Sequence, residues 1–386
     1  MKRILVLNLG STSFKFKLME MGDTERAAAS GAVESVGGEG RYAVEVGTDR
    51  AQGECACATH LSALQLCMQA AARLGLRLDM AHVDAVGYKA VHGGRISGVA
   101  EVDDALMAEM ERMVCFAPVH NPVYLAMMRA VRETYPGVRQ IACFETAFHA
   151  TIPPERVVYG VPYEWVQQYG IRRYGFHGAS HSYIAWKLAQ LAPEARRVVN
   201  CHLGGSSSLC AIQDGKSVAT SMGTTLQSGL FQNNRVGDFD AFCLPALAGA
   251  LGGMDKVLGI LSSEGGLKGV SGVSNDMRKI RAAAQSGNAR ARLAIDAFTE
   301  GIVGTIGMYA ALMGGLDAVV FTGGIGRGDA QLRRDVISRL GFLGAKLDAE
   351  DEREGKISAP DSRVSVWALT TDEERMVARG CMTLLR

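Results

Sequence analysis

Neither sign of charge dominates this chain: 41 lysines and arginines stand against 40 aspartates and glutamates in 386 residues. With a net charge of +1 there is no basic stripe to neutralise a phosphate backbone and no acidic tail, so nucleic acid and membrane surfaces are not expected partners. Long apolar runs are also missing. Met1-Lys2-Arg3 leads into four apolar residues before Asn8, too few for the core of a secretion signal, and nothing approaches membrane-spanning length. The nine cysteines are odd in number and lack C-x-x-C spacing, which argues against a disulfide framework or a structural zinc site. A reducing cytoplasm, with most thiols serving as small core residues, accounts for them. Two nucleotide signatures are absent as well, the G-x-x-x-x-G-K-[ST] P-loop and the G-x-G-x-x-G dinucleotide fingerprint.

What is present is a hydrophobic fraction of 48% over a length that suits two domains. Residues 4–18, ILVLNLGSTSFKFKL, read as an apolar strand, a Gly/Ser bend and an alternating strand; residues 198–212, VVNCHLGGSSSLCAI, repeat that grammar. Two hairpins of one design about two hundred residues apart imply duplicated halves facing one another. Segments 84–91 and 139–144 read as buried strands, and 60–74, 102–114, 122–134, 181–192, 244–260 and 289–313 as helices. DAVVFTGGIG (317–326) is a strand ending in glycines, with a helix from about Asp329. Residues 31–59 give the weakest pattern and suit a peripheral hairpin. A domain break is expected near residue 150, before Pro153-Pro154, with residues 1–149 and 375–386 in one lobe and 150–374 in the other.

The bends carry the chemistry. Asn8-Leu9-Gly10-Ser11-Thr12-Ser13 can aim backbone N–H groups and hydroxyls at a phosphate, although an ordinary polar turn looks the same. The second copy, His202 to Ser208, and the glycines Gly323-Gly324-Ile325-Gly326 together describe a nucleotide cleft between two related lobes. His177 and His181 lie four apart, but without the glutamate of H-E-x-x-H they suit packing or phosphate contact better than metal.

The strings VLNLGSTSFKFKL, AVHGG, APVHNP, FETAFH, RRYGFHGASH, CHLGGSSS, GKSVATSMG, SGVSNDMR, FTGGIG and TDEE run through nearly the whole chain in an order that resembles the acetate kinase family. The resemblance implies an α/β, two-domain, ribonuclease H-like fold of the actin, Hsp70 and sugar kinase superfamily. It also implies a homodimer and phosphorylation of a small carboxylate with ATP (or ADP in reverse) and Mg²⁺, Mn²⁺ being the alternative. By the same likeness Asn8, Ser11, Ser13 and Lys15 lie at the phosphates, with His202, Gly204, Gly205 and Ser206 from the second bend. Lys89, Glu145, His177, Arg235 and His120 take the catalytic positions. Asn8, Glu145 and Glu373 take those associated with the metal, directly or through water. Asp276, Met277 and Arg278 surround the adenosine, Gly324, Ile325 and Gly326 cradle it, and Val91, Val119, Phe176 and Leu226 wall the acyl pocket.

Departures from the family pattern cluster at these positions. Lys89 replaces an arginine, Glu145 an aspartate, Gly205 an asparagine and Leu226 a proline, while Asn233-Asn234 precedes Arg235 and Arg327-Gly328 follows the glycines. A shorter cation against a longer anion restores one contact if Lys89 and Glu145 face each other. The changes leave open a different acyl acceptor or phosphate donor, or a nucleotide-binding paralogue without turnover. A third reading, a hydroxyl-directed kinase, would need Glu145 as its base.

Overall fold

The computed structural model describes residues 1–349 and 351–385, in two units, Met1–Ala150 with Asp372–Arg386 and Thr151–Thr371. In the first unit the strand–bend–strand pattern forms an antiparallel hairpin of β1 (Lys2–Leu9) and β2 (Ser13–Met21), with Asn8 opposite Lys15. Ile4 to Leu7 are fully buried because β1 is an inner strand, covered on both faces. Three antiparallel strands, β3 (Glu25–Glu34), β4 (Glu39–Val46) and β5 (Asp49–Ala56), extend the sheet outward from β2. The weakly patterned residues 31–59 thus include an edge hairpin, β4–β5, whose exposed alternation carries little periodic signal. On the other side of β1 lie β6 (Ala85–Ala90) and then β8 (Gln140–Phe144), both parallel to it, with the short β7 (Val99–Glu101) antiparallel at the edge.

The second unit repeats this plan. Its hairpin is β9 (Arg197–Leu203) and β10 (Ser207–Gln213), continued by β11 (Lys216–Thr220). Beyond β9 come β12 (Ala318–Thr322) and β14 (Ser365–Ala368), both parallel, with β13 (Gly355–Lys356) antiparallel at the edge. The orders β3-β2-β1-β6-β8 and β11-β10-β9-β12-β14 are the same: a three-stranded meander whose first strand is then flanked by two parallel strands. That is the ribonuclease H-like arrangement the resemblance implied.

Helices form at His60–Arg73, Asp104–Arg112, Asn121–Thr134, Gly178–Leu191 and Ala289–Leu312, close to the periodic segments. The helix expected over 244–260 is instead two, Leu244–Leu251 and Met254–Ser263. Gly252 and Gly253 between them take φ of 86° and 130°, a left-handed turn no helix can run through. The glycines expected to end the strand at 317–326 start a short helix, Gly323–Gly328, before the helix Ala330–Arg339. Among the described residues no single helix is long and apolar enough to cross a membrane; 241–263 passes on length and composition only as a pair bent by 112°.

The last helix, Glu373–Leu384, packs on the first sheet through Val377, Ala378 and Cys381 against Ile4, Val6, Ala85, Ile141 and Cys143. Gly87 permits this approach, since a Cβ there would stand 2.7 Å from the Cys381 sulfur. The helix N-terminus is thereby brought over the carboxyl ends of the parallel strands, where α/β sheets commonly place their ligands.

Candidate active site

Residues opposite one another on neighbouring strands share a face of the sheet. The registers Asn8 with Lys15, Val6 with Gly87, and Lys89 with Cys143 put Asn8, Lys15 and Lys89 on the face covered by the last helix. Glu145, two residues beyond Cys143, follows them there, its N–H donating to the Ala90 carbonyl at 2.8 Å so that the ladder runs past the end of β8. Glu373 opens the helix above, behind an Asp372 cap that accepts the Arg375 N–H. Three residues 56 and 228 positions apart along the chain are thus gathered at one strand end.

At the centre of this group the Lys89 ammonium bonds the Glu373 carboxylate and stands 4.0 Å from Glu145 Oε1. Burial works against its charge, but the two carboxylates, Glu145 before Glu373, outweigh it and raise the Lys89 pKa above its ordinary value. Lys89 and Glu145 do face each other. Of the alternating lysines on β2, Lys15 is exposed, whereas Lys17 pairs with Asp372 at 2.8 Å and Glu374 at 3.2 Å. In the bend, Gly10 N–H closes onto the Ser13 carbonyl at 2.8 Å and leaves Ser11 exposed.

Val91 is buried, Val119 is 55% exposed, and His120 caps the helix Asn121–Thr134 without a side-chain capping bond. The residue that locks this region is Asn121, which sequence reasoning did not single out. Its amide donates to the carbonyls of His92 (2.8 Å) and Met110 (2.9 Å) and accepts the His92 N–H at 3.3 Å, tying the HGG loop to the VHNP turn. Tyr124, buried on the same helix, accepts the Leu9 N–H at 3.0 Å beside the first bend.

In the second unit His177 caps the helix Gly178–Leu191 with left-handed backbone (φ 58°), one of three non-glycine residues in that region among those described. Its ring stacks on His202 with centroids 4.2 Å apart, and Phe176 beside it is buried. The second bend meets the glycine turn directly. Gly323, at φ 80°, lies so close to Leu203 that a Cβ would stand 2.5 Å from the Leu203 carbonyl, and a Cβ on Gly204 would be 4.0 Å from the Gly324 N–H. Gly205 and Gly324 border open space. Ile325 packs on the core and Gly326 is buried.

Arg235 donates to Ser206 Oγ at 3.0 Å and Gln232 Oε1 at 3.2 Å, and Ser206 donates to the same Gln232 oxygen at 2.8 Å. Gln232 in turn donates to the Leu226 carbonyl at 2.7 Å. All these acceptors are neutral, and burial lowers the Arg235 pKa with no carboxylate to offset it. Gln232 had no sequence signal, because its bond to Ser206 spans 26 residues of chain. Asp276 caps the helix Met277–Gln285, and the Arg278 side chain and N–H hold its carboxyl down at about 2. Met277 is buried, with its side chain in the core.

Among the described residues no three His, Cys, Asp or Glu side chains converge as a metal cage. The side chains expected at the metal, Asn8, Glu145 and Glu373, carry oxygen donors, two of them carboxylates. Such a set fits a hard divalent cation that keeps waters and takes its remaining ligands from phosphate.

The profile of the Acetokinase family matches residues 3–379. A propionate kinase of Escherichia fergusonii is 41% identical, the match covering 99% of this chain and 96% of that protein. An acetate kinase of Clostridium botulinum is 40% identical over 98% of each. The crystal structure of Porphyromonas gingivalis acetate kinase superposes with a TM-score of 0.89 at 34% identity, covering 100% of both chains.

Proposed function

The chain belongs to the acetokinase family, and from that premise we propose that it phosphorylates acetate or propionate with ATP, giving the acyl phosphate and ADP by direct in-line transfer. The observation that carries this reading is Arg235, a half-buried guanidinium whose hydrogen-bond partners are neutral, which suits a receptor for an anion that comes and goes.

The chemistry asks for little else. A carboxylic acid with a pKa near about 4 is already ionised at neutral pH, so the acceptor needs no general base. The barrier is electrostatic: the transferring group spreads negative charge over its equatorial oxygens while an anion approaches a polyanion. In this reading Arg235 and His177 offer donors to that charge, Lys89 and His120 act on the acid and the phosphoryl group, and no covalent enzyme intermediate forms. Asn8, Glu145 and Glu373 would hold Mg²⁺ or Mn²⁺, which when bound supplies further neutralisation of the phosphate oxygens. Ser11, Ser13 and Lys15 serve the phosphates from the first bend. His202, Gly204, Gly205 and Ser206 serve them from the second, and Asp276, Met277, Arg278 and Gly324 to Gly326 bind the nucleoside. Val91, Val119, Phe176 and Leu226 set the acyl chain length.

Trapping acyl phosphate as a hydroxamate, across C1 to C5 acids crossed with ATP, GTP and pyrophosphate, tests the reading. Product is expected with acetate or propionate and ATP; none with any acid would sink it. The open space at Gly205, where the family carries an asparagine, favours a second reading, a nucleotide-binding paralogue. Tight ATP binding with neither transfer nor hydrolysis would select it.

A homodimer fits the second unit's surface. The helix Leu244–Leu251 buries none of its residues, and Phe242 (92% exposed), Phe239, Met254 and Leu258 extend the apolar area around it. At 11 and 10 residues the bent segments are short of the roughly 20 that cross a bilayer, so a second copy is the occupant proposed. Light scattering should give twice the 41.1 kDa chain mass, and Phe242→Glu should return it to 41.1 kDa. A monomeric wild type would refute the dimer. A reducing, cytoplasmic location agrees with nine free cysteines.

A further inference from the structure

One line of hydrogen bonds in the second unit goes beyond these roles. The Asn200 amide nitrogen stands 2.8 Å from His181 Nδ1, His181 Nε2 is 2.9 Å from Ser208 Oγ, and that oxygen is 2.8 Å from His177 Nδ1. Asn200, His181 and Ser208 are fully buried. We propose that these three are positioning residues that hold His177 in the tautomer with its proton on Nε2, so that it offers an N–H donor to the phosphoryl group. This deepens the reading of His177 given above and rests on it.

The number of protons these groups carry fixes the tautomer. An amide nitrogen can only donate, so His181 Nδ1 must accept, and a neutral imidazole with one nitrogen accepting carries its hydrogen on the other. His181 therefore donates from Nε2 to Ser208. The Ser208 oxygen has two lone pairs and could accept from both rings, but its own hydrogen is fully buried and needs an acceptor; with His181 Nε2 donating, the hydrogen-bond partner left for it is His177 Nδ1. The His177 proton is left on Nε2.

Running the line backwards would require the Asn200 amide to turn over. Its oxygen currently makes no hydrogen bond. A turned amide would put two N–H donors in that buried place, and orphaned donors are rarer and more costly than an under-satisfied carbonyl. The direction is thus set at Asn200, three hydrogen bonds from where it is read. The ring plane is held separately, by stacking on His202, whose own Nδ1 lies 2.7 Å from Ser180 Oγ.

The tautomer matters because an imidazole lone pair turned toward an anionic oxygen repels it, whereas an N–H stabilises it. Asn200 and Ser208 would then affect turnover without touching substrate.

The test is the ¹⁵N spectrum of the full-length protein with labelled histidine, which separates the two tautomers by their ring shifts. Wild-type His177 and His181 should both read as Nε2–H. Asn200→Asp, which can only accept, should reverse the line and move the His177 proton to Nδ1. Ser208→Ala should release His177 to a mixture and lower kcat about tenfold with the KM for ATP within about twofold, the loss of one oriented hydrogen bond. Ser208→Thr should restore both. A wild-type His177 protonated on Nδ1, or one whose tautomer ignores both Asn200→Asp and Ser208→Ala, overturns the relay whatever the activity. If instead the spectra agree but His177→Ala keeps its turnover, it is the role of His177 that fails.

Discussion

Replacing Lys89 with methionine should cut kcat by about 10²–10³-fold, the usual effect of removing one oriented charge from a transferring group. It should also weaken the first unit by about 3 kcal/mol, because a buried pair broken by removing one partner leaves its charge uncompensated. Here two carboxylates, Glu145 and Glu373, would be left to repel each other at one strand end. Lys89→Arg and Glu145→Asp separately should each cost activity, since each alters the reach of one partner in a 4.0 Å contact. Together they should recover part of it, with a coupling of about 1 kcal/mol or more between adjacent charges. Urea melts and acyl phosphate assays on the four proteins measure both quantities. Simple additivity would show that the two substitutions are unrelated despite their proximity.

Arg235→Ala should behave differently, losing about 10³-fold or more in turnover, as arginines facing a transferring phosphoryl group do, with little loss of stability. The reason is in its partners. Ser206 already donates to Gln232, so removing the guanidinium orphans neither group, and a cation without a carboxylate contributes desolvation cost rather than an ion pair. Arg235→Lys should rescue little, because a point charge cannot reproduce the planar fork. Thermal melts beside hydroxamate assays separate the effects. Activity within tenfold of wild type would remove Arg235 from the reaction, and a large drop in melting temperature would make it a structural residue.

How much of this was legible beforehand follows from the range of the interactions concerned. The two hairpins could be read because a Gly/Ser bend between alternating strands is local chemistry, decided within about fifteen residues. The helix break at Gly252-Gly253 is equally local and yet is masked in the sequence, because the apolar period continues on both sides of the glycines. Gln232 and Asn121 were not legible at all. Each is an ordinary polar residue in its own segment and acquires a role only when its amide is enclosed by carbonyls and hydroxyls from elsewhere in its unit.

From sequence alone came the strand–bend–strand repeat, the glycine turn, the family and hence the reaction class, since these depend on residue type and spacing along the chain. Only the tertiary structure decided that Lys89 sits between Glu145 and Glu373, that Arg235 faces neutral partners, and that Asn200 is linked to His177 through His181 and Ser208. Those are facts of distance, and a buried charge or proton responds to what lies within a few ångströms of it, however far away along the chain that neighbour was encoded.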